Sequence, residues 1–181
     1  NIVKQEASDL GIVYGQCLVI NNSSKTSSKW GNRQFKYENK TVLRTLPEGN
    51  VFKKILKFNF IPLLTAIVRK DIFHECGGLS SDFEQAEDYE LFVKIAETKK
   101  VRAVQDITAL YRVHDSNSSI DNEQKGFYES IEIIDRYISQ SAAIRGLSYH
   151  HSDYGLHKIK SGNLKEGFCH LINNGSFVDL I

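Results

Sequence analysis

Two adjacent carboxylates, Glu87 and Asp88, stand at the head of an apolar pattern of helical period, and a strand-like run, Tyr111-Arg112-Val113-His114, follows them in the chain. A carboxylate in the first turn of a helix is held ionised by the positive end of the helix dipole. Fixed in a cleft, it can take the proton from a hydroxyl group as that hydroxyl attacks. Acids also gather in first turns for the dipole alone, so this pair, taken by itself, is foremost a helix-start signal. His114 is similarly two-sided, since a lone histidine at a strand end is more often a hydrogen-bonded surface or core residue than a metal ligand. Arg112 has the planar fork that clamps a phosphate, or it pairs with a neighbouring acid. Cys17, Cys76 and Cys169 are odd in number, far apart and without C-x-x-C spacing. They suggest neither a disulfide framework nor a zinc site, and they fit a reducing compartment.

The elements that must position these groups can be read from hydrophobic period and turn chemistry. Residues 11–20 form a strand-length run rich in β-branched and apolar residues, expected to be a core strand. Residues 21–50 are polar and too long for a simple connection, with a hairpin or irregular loop expected around Gly31-Asn32. The stretch 51–58 places Val51, Ile55 and Leu56 on one face of a short amphipathic helix, and 65–70 is expected as a strand. Asp71 can cap a helix over 71–76 that Gly77-Gly78 terminates. A helix over 86–98 turns Leu91, Ile95 and Val93 or Ala96 inward, with Glu87 and Asp88 in its first turn. Strands at 101–105 and 108–114 follow, then helices over 126–144, 151–160 and 163–174. The order predicts an α/β fold with a mixed sheet, divided into residues 1–120 and a C-terminal helical extension, 121–181.

Composition bounds the function. The chain has 181 residues, 41% of them hydrophobic, enough for one substantial core. A net charge of +1 argues against a dedicated nucleic-acid binder. Residues 1–60 nevertheless carry ten Lys and Arg against four Asp and Glu, a basic third that either faces an anion or is a solvated surface. The longest apolar run, 60–68, contains Pro62 and is too short to span a bilayer. No signal-peptide pattern opens the chain. It begins at Asn1 and contains no methionine, so an upstream portion is expected.

Taken together, residues 59–119 resemble the second half of the family 2 glycosyltransferases of the GT-A type. The pieces are the strand-like Thr65-Ala66-Ile67-Val68-Arg69-Lys70 and the turn Cys76-Gly77-Gly78-Leu79. Glu87-Asp88-Tyr89-Glu90-Leu91 at a helix start comes next, followed by Tyr111-Arg112-Val113-His114 with Asp115, Ser116, Asn117 and Ser118. The resemblance implies an inverting transfer of a monosaccharide from a nucleotide sugar, a UDP-sugar first, to a glycan or lipid-linked acceptor in surface polysaccharide assembly. It implies Asp88 as general base, and Glu87 and Asn59 beside the acceptor along with the loop 80–85. Arg112 and His114 would face the donor diphosphate, His114 also the divalent metal, Mg²⁺ or Mn²⁺. It further implies a cytoplasmic location, at the inner face of the membrane where the acceptor is lipid-linked, with peripheral membrane association by the tail. The family's nucleotide-binding half ends in an acidic D-x-D motif, and no D-x-D occurs here. The chain is therefore expected to be an incomplete fragment, inactive alone, whose uncovered sheet favours a homo-oligomer. The alternatives are a non-catalytic carbohydrate-binding or interaction module with an α/β fold, and an unrelated α/β domain in which Glu87-Asp88 only starts a helix.

Overall fold

The run of β-branched and apolar residues Leu10–Ile20 forms β1, the central strand of a computed structural model that describes residues 9–20, 45–112, 114 and 122–173. β1 is buried on both faces, as expected for a strand flanked on each side. Among the described residues, a short antiparallel strand, β2 (Ile67–Val68), pairs along one edge, and a long parallel strand, β3 (Lys100–Arg112), along the other. The sheet is therefore mixed and the class α/β.

β3 replaces the two strands expected at 101–105 and 108–114. Its register against β1 runs from Leu10 opposite Lys100 to Ile20 opposite Arg112, with a bulge where Gly15 faces Val104 and Gln16 faces Ile107. The bulge lets the strand continue through a polar interruption. Gln105, left over at the bulge, accepts the Leu46 N–H through Oε1 at 2.9 Å. Thr108 packs where a side chain on Gly15 would be, since a Cβ there would lie 2.3 Å from Thr108 Oγ1, and its hydroxyl donates to Gln16 O at 3.2 Å.

Helix α1 is one turn, Phe52–Ile55, rather than the full 51–58. The anticipated face is nonetheless correct, with Val51, Ile55 and Leu56 fully buried. Beyond it the chain leaves the helix so that Phe58 and Phe60 can join Tyr149 and Tyr14 in edge and tilted contacts. The strand expected over 65–70 shrinks to β2, because Leu63–Thr65 is a 3-10 turn and Lys70 already begins α2 (Lys70–Glu75). Asp71 does not cap α2. It lies inside the first turn, ion-paired with Arg69, the residue that precedes the helix. Gly77 and Gly78 end α2 in the left-handed region, φ +83° and +71°, which glycine enters without steric cost.

Helix α3, Glu87–Thr98, buries Tyr89, Leu91, Phe92, Val93, Ile95 and Ala96, and Lys99 alone joins it to β3. The helix expected over 126–144 divides into α4 (Glu123–Asp135) and the start of α5 (Ser141–Lys160), with tight turns through residues 136–140. The break lets Ile133-Ile134 and Ala142-Ala143 enter one core with Ile12, Tyr14, Phe92 and Ile95. Helix α6, Leu164–Asn173, lies close along α5. The closeness depends on glycine, since a Cβ on Gly155 would stand 2.8 Å from the Gly167 carbonyl oxygen. Among the described residues no helix is long and apolar enough to cross a membrane.

Candidate functional site

The acidic start of α3 is assembled from two directions. From its own side, the loop 80–86 turns at Ser80, whose Oγ accepts the Asp82 N–H at 3.1 Å, and buries Phe83. From the other side comes α4. Lys125 reaches Glu84 at 2.6 Å, and the Arg136 guanidinium lies 4.9 Å from the centre of the Phe83 ring. Between them Glu129, 8% exposed, turns its carboxylate onto three consecutive backbone N–H groups. Its Oε2 accepts from Gln85 at 2.8 Å, Ala86 at 3.0 Å and Glu84 at 3.2 Å, and its Oε1 accepts from Glu84 at 3.1 Å.

Glu87 and Asp88 follow in the first turn of α3, both half-buried. Burial pushes the Asp88 carboxyl up to about 6, and the neighbouring Glu87 charge adds to the rise, against the lowering effect of the N–H groups of Tyr89 and Asp88 itself. At neutral pH a carboxyl with this value is still mostly ionised. Desolvation of the charged form outweighs the helix end. A carboxyl that changes state near pH 6 is matched to the work of a general base at neutral pH.

The next two residues are structural. Tyr89 donates its hydroxyl to Ile55 O at 2.8 Å in the core, where burial raises the phenol. Glu90, 4% exposed, shares Oε1 between Lys94 at 3.0 Å and Arg136 at 2.8 Å, while Oε2 is buried without a hydrogen bond among the described residues. Arg136 also holds Glu132 at 3.1 Å. Three consecutive positions thus do three things: a sequestered titrating acid, a core anchor and an ion-pair hub.

The other candidates occupy separate elements. Asn59 is half-buried in the segment after α1, and its Oδ1 accepts the Ile61 N–H at 3.1 Å, a turn-forming bond. Arg112 is the exposed last residue of β3, opposite Ile20, and His114 is half-buried just past it. Val113 and the motif residues Asp115 to Ser118 lie outside the described residues, as does most of the polar stretch expected around Gly31-Asn32. Among the described residues no group of three or more His, Cys, Asp or Glu could hold a metal ion.

Lys125, Glu129 and Arg136 were not among the sequence candidates. On one helix Lys125 and Glu129 are four apart, the spacing of an ordinary surface ion pair, so nothing in the pattern turns Glu129 inward. No protein-family model, curated protein or solved structure matches the chain.

Proposed function

We propose that the chain is the acceptor-side part of an inverting glycosyltransferase, with Asp88 the general base that deprotonates the attacking acceptor hydroxyl. The observation that carries this reading is Asp88 itself, a carboxyl in a helix first turn, sequestered enough to titrate near 6 yet still half-buried rather than sealed. Glu87 beside it orients the acceptor, a glycan or lipid-linked glycan, with Asn59 and the loop 80–85 at the border. Arg112, the last residue of β3, and His114 just past it are assigned to the donor side. There they would meet the diphosphate of a UDP-sugar. The divalent ion, Mg²⁺ or Mn²⁺, would be held by acidic residues outside this sequence, and no step is assigned to one held by residues 1–181. Oxygen ligands suit such ions.

The test is transfer from UDP-sugars with Mn²⁺ by protein that joins residues 1–181 to a donor-binding half. Asp88→Asn is expected to lower turnover by about 10²- to 10⁴-fold, the usual contribution of general base catalysis. Full turnover by that variant would remove Asp88 from the mechanism. Titration of UDP with Mn²⁺ into the 181-residue chain alone is expected to show no binding, and metal-dependent binding would overturn the assignment of the donor site to other sequence.

A further inference from the structure

We infer that Glu129 is a positioning residue for Asp88: from α4, its carboxylate holds the backbone of residues 84–86 and thereby fixes where the first turn of α3 begins. It lies outside the segment 59–119 that bears the recognisable motifs. The inference rests on geometry that the local sequence does not supply. Ala86, the residue before α3, has no side chain able to cap a helix, and no side-chain cap bond is made there from within the segment. Backbone N–H groups away from water must find acceptors, and those of 84–86 lie in the loop that leads into α3. Here the acceptor arrives from a residue more than forty positions later, and it satisfies three consecutive donors at 2.8 to 3.2 Å. Hydrogen bonds to a carboxylate are about twice as strong as neutral ones. One side chain therefore locks three residues of backbone next to the acidic pair.

Gly126, one turn earlier on α4, packs against the loop, where a Cβ would make an ordinary van der Waals contact of 3.4 Å with Gln85 Cβ. Ser130 donates its hydroxyl to Gly126 O at 2.7 Å, so it is satisfied within α4. With the backbone at 84–86 fixed, the Asp88 carboxyl is held in its half-buried place. Without it the helix start frays and water reaches the carboxyl.

The experiment is a pH titration of the Asp88 carboxyl carbon by NMR in the 181-residue chain, for wild type, Glu129→Gln and Glu129→Ala. The expected result is a midpoint that falls by about a unit in Glu129→Ala, toward the ordinary carboxylate value. In Glu129→Gln, which keeps one acceptor oxygen, the fall is smaller, and amide protection of α5 and α6 is unchanged in both. A wild-type midpoint in either folded variant overturns the inference. Should Glu129→Ala fail to fold, Glu129→Gln decides alone. The link to catalysis rests on the reading of Asp88 as base. In the complete enzyme Glu129→Gln is then expected to lower kcat by about 10- to 100-fold with KM little changed, and to move the acidic limb of the pH profile down with the Asp88 midpoint. If Asp88→Asn leaves turnover intact, the base assignment fails while the midpoint measurement still judges Glu129.

Discussion

Replacing Asp88 by Asn is expected to make the protein more stable, by an amount that depends on pH in a defined way. The carboxyl titrates at about 6 in the folded chain against 3.8 ordinarily, so the folded state holds its proton more tightly than the unfolded state does. For a group raised in this way, stability is greatest below pH 4 and is lost as pH rises through the folded value. The loss levels off above it. At 1.36 kcal/mol per unit the ionised carboxyl costs about 3 kcal/mol at pH 8. Asparagine keeps a carbonyl oxygen for the N–H groups of Asp88 and Tyr89 and carries no charge, so it avoids this cost. The difference between variant and wild type, from urea unfolding followed by far-UV circular dichroism, should be about 0.5 kcal/mol at pH 4 and about 3 kcal/mol at pH 8. In a domain of this size that corresponds to roughly 6 to 12 °C in Tm. Comparing the two proteins at each pH cancels the titrating groups that do not interact with Asp88, which leaves Asp88 and its neighbour Glu87. A difference that stays flat with pH, or an Asn variant less stable than wild type at pH 8, would refute the claim that burial governs Asp88.

Three further outcomes are expected. His151 and His170 approach at 3.0 Å between their Nδ1 atoms, and burial with the neighbouring His170 holds His151 down to about 4, while burial lowers His170 as well. Their contribution to stability is present above about 6.5 and lost as pH falls toward 4. His170→Phe should flatten the decline in urea midpoint between pH 7 and pH 4.5, and an unchanged decline would assign it to other groups. Gly155→Ala puts a Cβ 2.8 Å from Gly167 O, so it should cost about 1 to 3 kcal/mol in thermal unfolding. A variant within a few tenths of wild type would show that α5 and α6 can part cheaply. Ile67, Ile107 and Leu110 are 69%, 49% and 59% exposed on the two outer strands, the kind of uncovered apolar surface that drives association. Leu110→Lys should therefore lower the sedimentation coefficient of concentrated samples, and no change would place any self-association elsewhere.

Where local chemistry decides, the fold was legible in the residues. The apolar, β-branched run Gly11 to Ile20 reads as a buried strand and is one, the glycine pair 77-78 ends a helix by its left-handed backbone, and Leu91, Val93, Ile95 and Ala96 all reach the core. What was not legible depends on distant partners. Asp106 and Ile107 look like a gap between two strands until Leu46 claims the neighbouring Gln105 and Gly15 makes room for Thr108. Residues 126–144 have helical period throughout. The break at 136–140 exists because Ile133-Ile134 and Ala142-Ala143 must enter one core from two directions. At the candidate site the acidic pair and its helix were legible, but the environment that sets the proton affinity of Asp88 was not.

That environment is a contest between two effects of known size. A helix N-terminus stabilises a carboxylate by about 0.3 to 1 kcal/mol, up to about 2 in partly buried geometry. Burial of a carboxyl can raise its pKa by several units, each worth 1.36 kcal/mol. At α3 the N–H groups of Tyr89 and Asp88 lower the Asp88 carboxyl but do not offset its desolvation. Glu87 adds repulsion. The balance therefore tips toward the protonated form by an amount that leaves Asp88 titrating just below neutrality. A helix-start acid of the kind that usually only stabilises its helix is in this way made costly to ionise, chiefly by its own burial. Removing the Glu129 acceptor, or the charge from Asp88, should each lower that cost, and they should do so non-additively, because on our inference both act on the same carboxyl.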